Sequence, residues 1–286
     1  MPSAAEKRRA LKEMLAGPDL VLAPGCGDPL TARLVQYVGL HAIHASGSVA
    51  HRTAGYADAG ILTMTEMVER ITALADAVDL PVIADADTGF GNVVNVIRTV
   101  KEYERAGAAA IHIEDQVTPK RPTHQGIEAG TISRREMVNK IRAALDARTD
   151  ENLVIIARSE VKGDQQEVLD RLAECVEAGA DAAWISGGTE EGVRALRQAV
   201  GGFLVGVLPR TVTAQQFKQW GASAGVLPGV LQIAGLHAGR EMLEELKSTG
   251  TTAGYFARLS GVEAMQEFYS RQGNAELAEI ERRFGE

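Results

Sequence analysis

Short apolar runs alternate along the chain with longer stretches in which apolar residues recur every three or four positions. The short runs of small and β-branched residues predict buried strands, and the longer periodic stretches predict amphipathic helices. The clearest predicted helices cover residues 64–77, 93–106, 134–148, 165–178 and 190–200. Eight strands are predicted around them, at residues 20–23, 41–44, 82–85, 109–113, 153–157, 182–185, 203–207 and 222–227.

Strands and helices that alternate with short connections predict parallel strands joined by right-handed crossovers. Eight such units favour a closed (β/α)8 barrel of the TIM type over an open doubly wound sheet. An open sheet that binds a dinucleotide usually has a GxGxxG motif, which Gly89-Phe90-Gly91 does not complete. We therefore predict one α/β barrel domain over residues 1–286, with an N-terminal helix at 1–17 and extra C-terminal helices at 251–286.

Composition narrows the range of partners. The chain of 286 residues has a formal net charge of −8 and no run of more than three lysines or arginines, which argues against a nucleic-acid partner. Its apolar runs are much shorter than the roughly 20 residues of a membrane-spanning helix, so we expect no membrane partner. Cys26 and Cys175 lie far apart in sequence and form no CxxC motif, which predicts reduced thiols and a cytoplasmic location.

The most informative segment follows the third predicted strand, where the chain reads Asp85-Ala86-Asp87-Thr88-Gly89. Residues two apart on a strand face the same side, so Asp85 and Asp87 are expected to project together. Two adjacent carboxylates repel each other unless a proton or a cation lies between them, and oxygen ligands suit Mg²⁺ or Mn²⁺. Glu114, at the end of the fourth strand, is the candidate third ligand. A helix-capping aspartate followed by a turn aspartate is the alternative interpretation.

Other strands supply compatible groups at their carboxyl ends, where the active sites of α/β barrels lie. After the second strand, Ser46-Gly47-Ser48 predicts a loop of small residues whose backbone amides could bind an oxyanion. Arg158, at the end of the fifth strand, could bind a substrate carboxylate beside the metal. The lysines fall in predicted helices and loops rather than on inner strands, which argues against a Schiff-base mechanism.

The segment after the fourth strand, residues 116–131, is long, polar and rich in glycine and proline. It is too long for an ordinary connection between a strand and a helix. We predict that it forms a mobile lid over the active site. A solvated surface loop is the alternative interpretation.

These features together resemble the isocitrate lyase/phosphoenolpyruvate mutase superfamily, and its 2-methylisocitrate-lyase-like branch in particular, over nearly the whole chain. The resemblance implies Mg²⁺ or Mn²⁺ around Asp85, Asp87 and Glu114, and a small carboxylate substrate. It also implies a homotetramer of barrels that exchange a C-terminal helix. Substrate oxygens are expected at Ser46, Gly47, Ser48, Asp85 and Arg158. The motifs that carry the resemblance are Ser46-Gly47-Ser48, Asp58 in a glycine-flanked loop, residues 85–92, residues 113–116 and Ala157-Arg158-Ser159.

One departure from the family pattern lies in the lid. Lyases of this family have a cysteine in a lid motif of the form Lys-Lys/Arg-Cys-Gly-His, and the corresponding stretch here reads Lys120-Arg121-Pro122-Thr123-His124. Proline therefore stands where the acid that protonates the departing enolate is expected. His124, Thr123 or a metal-bound water are the candidate proton donors. The residues predicted to be catalytic are Asp58, His124 and Arg158.

Three functions remain open from the sequence. The first is a metal-dependent lyase acting on a C–C bond of a small 2-oxo or 2-hydroxy (di)carboxylate, as in methylisocitrate lyases or oxaloacetate decarboxylases. The second is P–C bond chemistry on phosphonopyruvate or a carboxyphosphonate. The third is a barrel that binds a 2-oxo acid without turnover, which Pro122, Ser186 and Val207 favour because each replaces a residue usual in the family.

Overall fold

The computed structural model describes residues 2–121, 130–185, 187–259, 261–270 and 274–285. The chain divides into two compact units, Met1–Gln232 and Ile233–Glu286. All strands of the described residues lie in the first unit, and the regular structure of the second unit is helical. Within the described ranges, no helix combines the length and apolar character needed to cross a membrane.

The predicted (β/α)8 barrel is confirmed. Eight parallel strands pair in the order β1-β8-β7-β6-β5-β4-β3-β2. The circle closes where the Cys26 amide donates to the His44 carbonyl oxygen at 3.0 Å and the Ala42 amide donates to the Leu22 carbonyl oxygen at 3.3 Å. The strands are β1 Val21–Pro24, β2 Ile43–Ala45, β3 Val82–Asp85, β4 Ala108–Glu114, β5 Val154–Arg158, β6 Ala182–Ile185, β7 Phe203–Val207 and β8 Ala224–Leu227.

The helices follow the periodic stretches, and several begin at residues that satisfy their free amides. Thr63 starts one of them, because its side chain accepts from the Glu66 amide and the Glu66 carboxylate accepts from the Thr63 amide. The helices are α1 Ala4–Ala16, α2 Pro29–Val38, α3 Gly47–Thr53, α4 Met64–Ala77, α5 Val93–Arg105, α6 Arg134–Ala147, α7 Gln165–Glu177, α8 Glu190–Ala199, α9 Ala214–Trp220, α10 Val230–Thr249, α11 Ala253–Arg258, α12 Val262–Ser270 and α13 Asn274–Phe284.

Successive residues of a strand pack on opposite sides of the barrel wall. Ile83 belongs to the cluster of buried residues inside the barrel, whereas its neighbours Val82 and Ala84 belong to the cluster between strands and helices. Leu11 and Leu15 of α1 join the inner cluster. Helix α1 therefore packs against the interior of the barrel. The carboxyl ends of the strands remain available for an active site.

Arg8 holds α1 to the barrel. Its Nε donates to the Ala108 carbonyl oxygen at 3.0 Å, and one Nη donates to the Glu104 carbonyl oxygen. The other Nη lies 3.2 Å from Asp150 Oδ2. Because only 6% of Arg8 is exposed, these bonds are shielded from water.

We predict that Arg8→Met lowers the free energy of unfolding by about 2–4 kcal/mol, because it leaves buried acceptors without their donor. Urea denaturation followed by circular dichroism measures this difference. The matched control is Arg9→Met, an exposed position of the same helix, where we expect a change within about 0.5 kcal/mol. Equal stabilities for the two variants would contradict the role given to Arg8.

Candidate active site

A cavity of about 380 Å³ lies at the carboxyl ends of the strands. Five residues predicted from sequence line it: Ser46, Ser48, Asp58, Asp85 and Arg158. Three further lining residues, His44, Lys120 and Trp184, had no predicted role in the site. Two neighbouring cavities of about 420 and 370 Å³ share lining residues with it, so the accessible space at this end of the barrel is larger than one cavity.

Asp85 ends β3, and backbone amides hold its carboxylate. Oδ2 accepts from the Gly47 amide and Oδ1 accepts from the Asp87 amide, both at 3.0 Å. Burial by itself raises the pKa of Asp85, but the positive charges of Lys120 and Arg158 contribute to a larger lowering. The pKa is therefore below its usual range, and Asp85 is a carboxylate.

Asp87 follows in a strained turn. Its φ is +47°, in the left-handed region that costs a non-glycine residue about 1–2 kcal/mol. The Asp87 carbonyl oxygen accepts from the Glu114 amide at 2.8 Å, which ties the turn to the end of β4. Burial and the neighbouring charge of Asp85 raise the pKa of Asp87. The two carboxylates are thus close enough to oppose each other's ionisation, although Asp87 lies in a turn after β3 and not on the strand as predicted.

Lys120 supplies a positive charge between the acidic groups. Its Nζ contacts Asp87 Oδ1 and lies 2.7 Å from Asp58 Oδ1, and only 8% of the residue is exposed. Burial lowers the pKa of Lys120, but the surrounding carboxylates raise it further, so the amine is charged. From the sequence, Lys120 was predicted only to be part of the lid. Its position beside Pro119 gave no sign that the side chain turns inward.

Glu114 completes the acidic group at the end of β4. It is buried, and its Oε2 lies 3.4 Å from Arg158 Nη2. Burial raises the pKa of Glu114 to about 8, although Arg158 and Lys120 act in the opposite direction. A nearby cation would lower this pKa, because it favours the charged form.

The acidic residues fit a divalent cation that is held partly through water. Among the described residues, no three His, Cys, Asp or Glu side chains form a ready set of direct metal ligands. However, Asp87 Oδ2 and Glu114 Oε1 are buried and have no hydrogen-bond partner within the described part of the chain. Buried acceptors of this kind are costly unless they are satisfied. A hydrated Mg²⁺ or Mn²⁺ can satisfy both of them, since Mg²⁺ commonly keeps several of its waters.

Arg158 faces the acidic group from β5. Its guanidinium lies over the Trp184 ring, with Cζ 5.0 Å from the ring centroid, and its Nη2 lies 2.6 Å from Glu160 Oε1. The aromatic ring and the carboxylate restrict the guanidinium to one place in the cavity. The cavity therefore holds a fixed cationic group next to carboxylates that can bind a metal.

The Ser46-Gly47-Ser48 segment was predicted to be a loop, but it forms the start of α3. Ser46 is the N-cap residue, with Gly47 and Ser48 in the first turn. The Ser46 and Ser48 hydroxyls lie 3.0 Å apart. The short helix forms because small residues let its first turn approach β3. At Gly47, an added Cβ would lie only 2.8 Å from Asp85 Oδ2.

A pair of buried histidines lies behind Asp85. The Nε2 atoms of His44 and His112 are 3.1 Å apart, and His112 Nδ1 lies 3.5 Å from Asp85 Oδ1. Burial lowers the pKa of His44 to about 4 and that of His112 to about 3. Both rings are therefore neutral near pH 7, and one Nε2–H donates to the other nitrogen. They lie beside Asp85 without adding positive charge.

His124 lies outside the described residues, as does the rest of 122–129. The two ends of the predicted lid are described, and they pair. Gln116 and Thr131 form an antiparallel bridge, and the Val117 amide donates to the Gly130 carbonyl oxygen at 2.8 Å. The described ends of this segment therefore lie next to each other.

The chain is similar to proteins of known activity over most of its length. The family described as phosphoenolpyruvate phosphomutase matches residues 11–247. A 2,3-dimethylmalate lyase of Eubacterium barkeri is 36% identical, with 96% of each chain covered. Phosphoenolpyruvate phosphomutase from Streptomyces platensis subsp. rosaceus superimposes with a TM-score of 0.89 at 32% identity, covering 98% of this chain and 99% of that one. A phosphonopyruvate hydrolase complex with oxalate and Mg²⁺ gives a TM-score of 0.86 at 32% identity, with the same coverage of both chains.

We predict that Gly47→Ala greatly reduces binding of a divalent cation, because the new Cβ displaces the Asp85 carboxylate. Isothermal titration with Mn²⁺ measures the effect, and thermal unfolding shows whether the fold is kept. Gly201→Ala is the matched control, since an added Cβ there meets nothing within 4 Å. Binding by Gly47→Ala that equals binding by the control would contradict the close packing of α3 against Asp85.

Proposed function

Because the chain belongs to the phosphoenolpyruvate mutase/isocitrate lyase superfamily, we propose that it is a Mg²⁺- or Mn²⁺-dependent carbon–carbon lyase. Its substrate is a small 2-oxo or 2-hydroxy (di)carboxylate. The observation that carries the proposal is the unsatisfied buried oxygens of Asp87 and Glu114 in the neighbourhood of Arg158. The oxygens could bind a metal, and Arg158 could bind a substrate carboxylate next to it. The similarity to 2,3-dimethylmalate lyase over 96% of both chains supports C–C chemistry.

The proposed division of labour follows from the charges. Asp85, Asp87 and Glu114 would hold the metal, directly or through water, and the metal would supply positive charge beside the substrate oxygen. Arg158 binds a substrate carboxylate through charge-assisted hydrogen bonds. The Ser46 and Ser48 hydroxyls orient the other substrate oxygens. The Gly47 amide, also predicted from the sequence to meet the substrate, instead donates to Asp85 Oδ2.

The proton donor for the departing carbon remains a proposal that rests on sequence. His124 is the candidate in the lid, where the family's cysteine is replaced. Thr123 and a metal-bound water are the other candidates, while Asp58, whose carboxylate is 2.7 Å from Lys120 Nζ, is proposed as a further catalytic residue. The lid over residues 116–131 would exclude water while the bond is broken.

P–C bond chemistry on phosphonopyruvate or a carboxyphosphonate is the second candidate function. The TM-scores of 0.89 with a phosphoenolpyruvate phosphomutase and 0.86 with a phosphonopyruvate hydrolase favour it. Two relatives matched by sequence are nevertheless carbon–carbon lyases: the 2,3-dimethylmalate lyase, 36% identical over 96% of this chain, and a 2-methylisocitrate lyase of Aeropyrum pernix, 36% identical over 84%. We therefore place C–C cleavage first.

We also propose a cytoplasmic homotetramer in which neighbouring barrels exchange a C-terminal helix. The second unit supports the assembly, since large apolar side chains are exposed along its helices. Helix α10 has no buried residue within the described chain. Burial of such a surface against another subunit is favourable at about 25 cal/mol per Å². The exposed residues include Ile233, Leu236, Leu243, Phe256, Leu277 and Phe284. The free, buried thiols of Cys26 and Cys175 support the cytoplasmic location.

The substrate prediction is tested with a panel of oxaloacetate, 2-methylisocitrate, 2,3-dimethylmalate and phosphonopyruvate, each with Mg²⁺. We expect one carbon substrate to be cleaved, detected as its 2-oxo acid product, and chelation of the metal to abolish turnover. Phosphate release or isomerisation of phosphonopyruvate would favour the second candidate instead. Oxalate binding without any turnover would favour a non-catalytic barrel.

Asp87→Asn is the matched negative variant for this assay. We expect it to lose Mg²⁺-dependent turnover by at least about a hundredfold, because a neutral amide neither attracts nor neutralises the metal. Asp146→Asn, an exposed position on α6, controls for removal of a negative charge. Full activity of Asp87→Asn would refute the metal role of Asp87.

The assembly predicts a mass of about four times the chain mass of 30.5 kDa in size-exclusion chromatography with light scattering. Leu236→Asp should shift the protein towards smaller species, because it places a charge on the proposed contact surface. Val94→Asp is the control, since both side chains belong to residues that are 69% exposed and Val94 lies on α5 of the barrel. A wild-type mass of one chain would refute the proposal.

A further inference from the structure

Asp115 is a completely buried carboxylate with no part in the steps above. It follows Glu114 at the end of β4, and none of its surface is exposed. Oδ1 accepts from the Glu160 amide at 2.7 Å, and Oδ2 accepts from the Ser159 hydroxyl at 2.8 Å. The same Oδ2 accepts from Arg171 Nη1 at 3.3 Å. Asp115 therefore fixes the backbone and side chains directly after β5.

Glu160 continues this chain of contacts to the substrate site. Its Oε1 accepts from Arg158 Nε at 2.8 Å and lies 2.6 Å from Arg158 Nη2. Burial raises the pKa of Glu160, but Arg158 and Lys162 lower it further, so the group is a carboxylate. One carboxylate thus holds the Nε edge of the guanidinium, while Trp184 lies against its face. Arg158 Nη1 donates no hydrogen bond to any described residue, and it remains for a ligand.

Arg171 anchors the other end of the chain of contacts. Its Nη1 donates to the Ile132 carbonyl oxygen at 2.6 Å, and the Ile132 amide donates to the Asp115 carbonyl oxygen at 2.9 Å. Asp115 is therefore held from α7 and from the segment that precedes α6. A group with this many fixed partners does not change rotamer easily, so the Glu160 amide has a constant position relative to β5.

We propose that Glu160 is a positioning residue, held by Asp115, that orients Arg158 so that its free Nη1 meets a substrate carboxylate. The inference rests on the proposed function, since it assigns to Arg158 the binding of a carboxylate. Glu160 also lines the cavity, but the effect proposed for it passes through the guanidinium. Without Glu160, the guanidinium has other rotamers available and loses part of the advantage of preorganisation.

The test is a double-mutant cycle between Glu160→Gln and Arg158→Lys, read by titration with oxalate in the presence of Mg²⁺. We expect Glu160→Gln to weaken oxalate binding roughly tenfold, the size of a lost charge-assisted contact. We expect it to weaken binding much less when Arg158 is already lysine, because residues that act through one another are not additive. In the turnover assay, KM should rise while kcat changes little, since the lost interaction is a binding one.

Controls separate this role from a general loss of structure. Glu177→Gln, on the exposed surface of α7, should bind oxalate like the wild type. Thermal unfolding shows whether Glu160→Gln folds. If it does not fold, Glu160→Asp replaces it in the same cycle, because it keeps the charge and only shortens the reach to Arg158. Tighter binding by Glu160→Asp than by Glu160→Gln would support a positional role.

Two results would overturn the inference while leaving the proposed function in place. One is wild-type oxalate binding by the Glu160 variant. The other is a weakening that is the same with arginine or lysine at position 158, which would show that Glu160 acts independently of Arg158. Failure of the wild-type protein itself to bind oxalate with Mg²⁺ would instead overturn the proposed function, and this inference with it.

Discussion

The repulsion between buried carboxylates at one end of the barrel is the constraint on which the site depends. Burial raises the pKa of Asp87 and of Glu114, and the neighbouring aspartates raise both further. Three negative charges out of contact with water would be costly unless cations or hydrogen bonds oppose them. Lys120 and Arg158 supply the positive charges. The residual negative potential is what makes this end of the barrel suitable for a divalent metal.

The surrounding structure keeps these charges in place at a local cost. Asp87 is held in a left-handed conformation, and the Asp85 carboxylate depends on the close approach of Gly47. These features would relax if the backbone around them were soft. The barrel prevents this, because its strands are bonded on both sides and the cluster inside them is packed with residues that are almost fully buried. Stability elsewhere in the fold therefore maintains strain at the site.

The polar groups of the site form two layers. Asp85, Asp87, Glu114 and Arg158 can meet a metal or a substrate. Behind them lie groups such as Asp115, Glu160 and the neutral pair of His44 and His112. A metal site of this kind normally depends on such supporting hydrogen bonds, because they fix the orientation of each ligand. The supporting residues come from strands and helices that are far apart in sequence, so their arrangement is a property of the closed barrel.

Much of the fold and part of the site could be predicted from the chain alone. The alternation of apolar runs and amphipathic stretches has a local cause, and it predicts eight strands within a few residues of those observed. The acidic pair is also local, because Asp85 and Asp87 are only two residues apart, but a left-handed turn at Asp87 and not strand alternation sets their positions. The wrong prediction of a loop at Ser46-Gly47-Ser48 also has a local cause. Small polar residues suit a loop and the first turn of a helix equally well.

The sequence by itself determined the barrel class, the acidic pair at the end of β3 and the position of Arg158 at the end of β5. Only the tertiary structure decided that Lys120 turns inward to Asp58 and Asp87, and that Asp115 and Glu160 brace Arg158. The physical reason is that periodicity depends on neighbours within a few residues. A buried ion pair depends on which distant side chains the closed barrel brings within a few ångströms of each other, and no local pattern records that distance.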